Sequence, residues 1–228
     1  PLALYPLTIT AHGQGASDAA GGAGEGGPDR MEEITGTGPG LQGPWYEKCT
    51  DFQLEETLSR DNEELDSLFY ARSRMLGHVD ALASAHMQAE YLRWISSGMQ
   101  VLDLMSSLQS HLPRDLDLEV TGLGMNDEEM RANPRLGHHL VQDINDRPEL
   151  PFPDHSFEAV LCSLSLEYLI RPQVILAEIR RVLRPGGVLL ISFSNRWFPP
   201  KVTRLWTELH EFERLGLVLQ LLRCLGRY

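Results

Sequence analysis

The stretch from Val141 to Asn195 constrains the fold of this chain more than any other. It reads as strand, loop, strand, helix, strand. Val141 closes a short apolar run that ends at Asp143. The PFPDHSF segment, Pro151 to Phe157, is a polar loop whose prolines fix φ and whose Asp154 can accept from a nearby backbone N–H. Ala159 to Cys162 is a continuous apolar run, as a strand covered on both faces requires. Pro172 then opens a helix with Ile175, Leu176, Ile179, Val182 and Leu183 on one side. Arg180, Arg181 and Arg184 sit near its C-terminal end, where cations complement the helix dipole. Pro185-Gly186-Gly187 is expected to stop the helix, and Val188 to Phe193 to form the next buried strand. Strands alternating with helices imply an α/β fold with a parallel, doubly wound sheet.

The remaining chain adds two strands and an extension. Gln100 to Leu104 is read as the first sheet strand, with Asp103 near its end, and Leu118 to Leu123 as the second. Asn126, followed by Asp127, Glu128 and Glu129, predicts a helix start capped by Asn126. Upstream, Asp80 caps a predicted helix carrying Leu82, His86, Tyr91, Leu92 and Ile95, and Phe52 to Leu68 reads as an acidic helix. Residues 1–44 hold 11 of the 20 glycines and read as a disordered tail, because they cannot bury enough apolar surface to offset their ordering entropy. Residues 45–98 are then a helical extension and 99–228 the main domain. Pro199 and Pro200 start a predicted long helix running from Val202 through Val218.

A formal net charge of −12 with only two lysines, Lys48 and Lys201, argues against an extended nucleic-acid surface. Three cysteines (Cys49, Cys162, Cys224) without paired spacing suggest neither a disulfide framework nor a zinc site, and fit a reducing intracellular compartment. His78, Asp80 and His86 lack the spacing of a metal set. No apolar run reaches membrane-spanning length.

LPFPDHSFEAVLCSLSLEYL and EIRRVLRPGGVLLISF resemble the second half of class I S-adenosylmethionine-dependent methyltransferases of the broad type 11 kind, a similarity running roughly from Met99 to Leu222. DLMSSLQSHLP, GLGMN and SFSNRWFPPK are similar to a subgroup of uncharacterised methyltransferase-like proteins of plants, algae and cyanobacteria, which makes a chloroplast the compartment implied. The resemblance implies a Rossmann-like sheet, S-adenosyl-L-methionine as cofactor and a small-molecule acceptor. It puts Asp103 at the family acid, and Met105, Ser107 and Gln109 where the family has glycines. Glycine is normal there because the chain turns sharply beside the ligand. Either Ser106 and Ser107 reach the cofactor from a short helix ended by Pro113, or Met105 and Gln109 fill its volume. Gly124 stands where a ribose-binding acid belongs, with Met125 and Asn126 following; Asp143 matches the residue that meets the adenine amino group, with Ile144 beside the ring. Ser163 to Tyr168 face the methyl group and the acceptor, with Glu167 or Tyr168 as general base or as structural residues. Arg196 is placed to hold an anionic group.

Relatives continue with two more strands beside the fifth. Without them VLLISFS is expected to be an uncovered apolar edge, from a chain incomplete at its C-terminus or one that docks a protein partner there. Three readings stay open: a methyltransferase, a catalytically inactive methyltransferase-fold scaffold or assembly subunit that has lost cofactor binding, and a domain holding another metabolite in a reshaped cleft.

Overall fold

The computed structural model describes residues 57–225, so the glycine-rich segment 1–44 lies outside the described residues. Five parallel strands form one sheet: β1 (Gln100–Ser106), β2 (Glu119–Gly124), β3 (His138–Val141), β4 (Phe157–Ser163) and β5 (Leu183–Ser192), in the order β3-β2-β1-β4-β5. The chain winds outward from β1 to one side, returns, and winds to the other side through β4. The switch therefore lies between β1 and β4, where ligands collect at the carboxyl ends of such strands.

The helices are α1 (Asp66–Phe69), α2 (Ala81–Tyr91), α3 (Asp127–Ala132), α4 (Pro172–Val182), α5 (Arg204–Glu208) and α6 (Glu211–Leu225), with a 3-10 turn at Leu166–Tyr168. Asp80 caps α2 by accepting from the Ala83 N–H at 2.8 Å, and Asn126 caps α3 by accepting from the Glu129 N–H at 3.0 Å. Alternate residues of the central strands feed two cores. Leu102, Leu104, Val160 and Cys162 pack with α4, α5 and α6; Val101, Ala159 and Leu161 pack with Tyr91 and Ile95. Ile175, Leu176, Ile179 and Val182 of α4 are fully buried, each contributing roughly 1.5–3 kcal/mol of hydrophobic stabilisation.

Several expectations are corrected. Only two of the crossovers carry a helix, α3 and α4; residues 107–118 and 142–156 are irregular. No helix follows β1, because His111 sits at φ 51°, a left-handed conformation no helix interior accepts. Residues 57–65 are not helical: they run beside the segment after β5, with Arg60 bridged antiparallel to Thr203. On α2, Tyr91 is buried but Leu82 is 61% exposed, so its apolar side does not follow the predicted stripe. α4 passes directly into β5, and Arg184 to Gly187 bulge out between the pairs Phe157–Leu183 and Ala159–Val188. The bulge depends on glycine: Gly186 has φ +80°, and a Cβ on Gly187 would lie 2.9 Å from the Arg184 and Glu158 carbonyl oxygens. The predicted long C-terminal helix breaks after α5, where Leu209 is extended (φ −87°, ψ 139°). Cys162 is free and buried in β4, whereas Cys224 of α6 is disulfide-bonded, which removes the cysteine argument for a reducing compartment. Among the described residues no His, Cys, Asp and Glu group could hold a metal, and no helix is long and apolar enough to cross a membrane.

Candidate functional site

A cavity of about 350 Å³ opens at the carboxyl ends of β1, β2, β4 and the segment after β5. That volume lies in the range of small-molecule sites. Asp103, Met105, Ser106 and Ser107 line it from β1 and its following turn; Gly124, Met125 and Asn126 from β2; Asp143 and Ile144 after β3; Ser163 and Tyr168 after β4. The fold thus brings these residues, spread over the sequence, around one space. Glu167 is not among them. It is 1% exposed, neither carboxylate oxygen has a hydrogen-bond partner, and it points into the protein instead of the cavity. Burial pushes its carboxyl up to about 7.

The turn after β1 keeps the shape that glycine ordinarily provides without the glycine. Met105 takes φ 57°, and the β1–β2 register slips between Leu104 and Ser106. For a residue with a Cβ this left-handed conformation costs about 1–2 kcal/mol. Ser106 and Ser110 both donate to Asp103 Oδ2 at 2.6 Å. Burial pushes the Asp103 carboxyl up to about 6, against the pull of those two hydroxyls. Ser107 turns instead to Glu129, donating to Oε2 at 2.6 Å. Gly124 serves packing: a Cβ there would come 2.1 Å from the Ser106 carbonyl oxygen, so β1 and β2 close together only because it has none.

Asn126 is committed to structure. Its Oδ1 caps α3 and accepts from Ser73, and its Nδ2 donates to the Tyr70 carbonyl at 2.9 Å. Glu129, in the first turn of α3, faces the same cavity. It does not complete a reciprocal cap; its Oε1 accepts from the Arg74 N–H at 2.6 Å and it lines the cavity. Asp143 Oδ1 accepts from the N–H groups of Asn145 and Asp146, at 2.9 and 3.3 Å, so it caps its own loop while facing the cavity. Burial first, then the nearby Asp66 charge, raise its carboxyl above the ordinary range.

On the far side, Tyr91 Oη lies 2.8 Å from Ser163 Oγ, and the Tyr168 hydroxyl accepts from the Phe198 N–H at 2.9 Å. Burial raises the Tyr168 phenol far above its usual value, with the Glu167 charge adding to the effect, so this group holds its proton.

The residues over the cavity, its roof, are ones to which the sequence assigned packing and no site role. Tyr70, Arg74 and His78, from the segment after α1, cover the cavity, and Asp66 anchors that segment from beneath. Arg60 Nη1 donates to both Asp66 carboxylate oxygens at 2.8 Å, Asn145 Nδ2 to Oδ2 at 3.0 Å, and Lys201 Nζ lies 2.9 Å from Oδ1. The Phe69-Tyr70 pair was the visible signal, but nothing local tied it to the ligand side.

Residues 106–191 match the family model described as a methyltransferase domain, which spans the end of β1 through most of β5. The demethylmenaquinone methyltransferase of Renibacterium salmoninarum is 33% identical over 106 residues, 45% of each chain. The UbiE ubiquinone/menaquinone biosynthesis C-methyltransferase of Burkholderia multivorans is 42% identical over 57 residues, 25% of this chain and 24% of that protein. The chain thus spans less than half the length of these curated relatives. A solved S-adenosylmethionine-dependent methyltransferase of Aquifex aeolicus aligns at 19% identity over 62% of this chain and 87% of that one, with a TM-score of 0.43. Residues 106–191 thus match a methyltransferase domain in sequence, and they are borne on a five-stranded parallel α/β sheet of Rossmann-like strand order.

Proposed function

We propose that the protein is a methyltransferase that binds S-adenosyl-L-methionine in this cavity and acts on a small-molecule acceptor. One observation carries the reading: the cavity sits at the β1/β4 switch point and gathers Asp103, Met125, Asp143, Ile144 and Ser163 on one rim. The residues fit the cofactor in a modified way. Asp143 and Ile144 would hold the adenine edge and ring. Glu129, one turn into α3, supplies the carboxylate that Gly124 cannot; with one hydrogen on each oxygen it keeps lone pairs for ribose hydroxyls. Asp103, ionised above about pH 6, and the Ser106 and Ser107 turn face the amino-acid end. Bound there, the cofactor supplies an electrophilic methyl group on a sulfonium.

The chain's own contribution is alignment and exclusion of water, which is the larger share of catalysis for an in-line displacement. Tyr70, Arg74 and His78 line the cavity from the segment after α1 and narrow its access to water. Tyr168, its phenol retaining the proton, orients an acceptor by donating a hydrogen bond and does not remove a proton from it. Glu167 is too far inside to act as base.

A specific observation favours a second reading, a cofactor-free scaffold. Asp103 already accepts from Ser106 and Ser110, Glu129 from Ser107, and Asn126 donates to the Tyr70 carbonyl, while no glycine opens the β1 turn. A protein partner at the outer side of β5 belongs to that reading.

Calorimetric titration with S-adenosylmethionine and S-adenosylhomocysteine separates the two. Micromolar binding, weakened roughly tenfold or more in Asp143→Ala, is the expected result for the loss of a charged hydrogen-bond acceptor. No heat and no thermal shift at millimolar ligand, with the protein shown folded, would discard the methyltransferase reading.

A further inference from the structure

The carboxylates and the guanidinium groups of the cavity are provided for unequally. All four lining acids have hydrogen donors from the protein: Asp66 from Arg60 and Asn145, Asp103 from Ser106 and Ser110, Glu129 from Ser107 and the Arg74 N–H, Asp143 from its own loop. The two lining arginines are not matched in this way. Among the described residues no carboxylate forms a salt bridge with Arg74 or Arg196. The Arg74 guanidinium donates to the Phe69 carbonyl, at 3.2 Å, and lies over aromatic rings, 4.6 Å from the Phe69 centroid and 5.1 Å from that of Phe198. Arg196 follows β5, and its guanidinium is exposed at the cavity rim.

Burial lowers the His78 imidazole, Glu129 opposes this, and the charges of Arg74 and Arg196 both push it lower, so the ring is neutral near pH 7. Its edge meets Phe198 at 5.6 Å. Phe198 in turn stands 6.1 Å from Tyr168 with the planes only 31° apart, and 6.4 Å from Tyr70 at 76°. Flat aromatic walls beside two unpaired cations and a neutral imidazole suit one kind of guest.

We propose that this end of the cavity is an anion site, and that the acceptor is a small molecule carrying a carboxylate, held by Arg196 and Arg74 beside the packed Phe198 and Tyr168 rings. Arginine forks match a carboxylate with two parallel hydrogen bonds. The acceptor assignment rests on the methyltransferase reading above. That reading puts the adenine end at β2 and β3, three to four strand spacings from β5, or about 14–19 Å. Arg196, after β5, therefore lies beyond the adenosine on the side where an acceptor must enter, and the Arg74 guanidinium reaches toward that side over the Phe198 ring from a backbone held at Glu129.

The test uses benzoate as the probe and benzamide as its neutral counterpart, titrated into the full chain with and without saturating S-adenosylhomocysteine. Benzoate is expected to bind roughly tenfold tighter than benzamide, the gain of a charge-assisted pair. Arg196→Gln, a change at an exposed position, should erase that difference while leaving S-adenosylhomocysteine affinity within about twofold. Arg74→Gln, checked by its melting curve, should also erase the preference for benzoate. Equal binding of benzoate and benzamide, or a preference for benzoate that survives both variants, overturns the anion site. Mutually exclusive binding of benzoate and S-adenosylhomocysteine also overturns the acceptor assignment, because the arginines would then serve the cofactor's own carboxylate. Arginine-dependent benzoate binding without any S-adenosylhomocysteine binding upholds the anion site and overturns only the methyl-transfer reading.

Discussion

Met105 shows how much of a ligand-side turn is dictated by backbone shape. The residue sits at φ 57°, a conformation glycine adopts freely and methionine endures, with its side chain packed against the core. Replacing it with alanine and with glycine separates backbone from side chain, since both variants lose the packing. At an ordinary position glycine is the less stable of the two by roughly 0.5–1 kcal/mol, because it loses more freedom on folding. At position 105 the order should reverse, with Met105→Gly more stable than Met105→Ala by about 1 kcal/mol in urea unfolding. An alanine variant as stable as the glycine variant would show that the turn carries no strain. The fold does bring residues singled out in the sequence to one cavity: Asp103, Asp143 and Met105 to Ser107 all line it. Their hydrogen-bond duties were not legible, because Ser107 spends its hydroxyl on Glu129 and Asn126 spends its amide on Tyr70, contacts that only the folded chain creates.

Among the elements, α4 was readable because its apolar positions repeat at helical spacing and a proline marks its first turn. Residues 107–118 were not: Leu108, Leu112 and Leu116 repeat every four residues as a helix would, yet His111 at φ 51° interrupts any helix there. The roof segment was the least legible element, since its anchor pairs Asp66 with Lys201 across most of the chain. Lys201 is fully buried, and its ammonium also donates to the carbonyls of Asn62, at 3.1 Å, and Glu64, at 2.6 Å. The Asp66 carboxyl stays below its ordinary range; burial alone would raise it, but the hydrogen bonds from Arg60, Asn145 and Lys201 together outweigh that. Removing one partner leaves a buried charge uncompensated, typically a loss of 3–5 kcal/mol. Asp66→Ala should therefore destabilise by about 3 kcal/mol or more, with hydrogen exchange rising first across residues 60–78. Lys201→Met should cost less, because Asp66 keeps Arg60 and Asn145. Equal losses for the two variants, or exchange unchanged over the roof, would mean that the network does not hold the segment down.

For the molecule as a whole, a carboxyl buried without partners makes stability depend on pH in an unusual sense. Glu167 sits between the 3-10 turn and the C-terminal helices, 1% exposed, with Arg214 as the nearby positive charge pulling its carboxyl down and burial pushing it up more strongly. The Arg214 guanidinium is itself held to the Trp206 carbonyl at 3.0 Å and stacked 4.5 Å from the Trp197 ring, so it does not reach the carboxylate. In the unfolded chain the group titrates near 4.5; in the folded protein it does so near 7. The folded state therefore holds the proton more tightly, and its contribution is complete below about pH 4.5 and is lost as pH rises through about 7. A difference of this size corresponds to roughly 3 kcal/mol between acid and mildly alkaline solution. Glu167→Gln removes the titration while keeping the shape. The variant should gain on the parent protein as pH increases from 4.5 to 8, by up to about 3 kcal/mol in parallel urea titrations, whatever their offset at low pH. Asp103, raised to about 6, gives the same sign and is present in both proteins, so the difference between them isolates Glu167. Parallel pH profiles would place the carboxylate in contact with water or with Arg214, and would reopen its case as a group that takes part in the chemistry of the cavity.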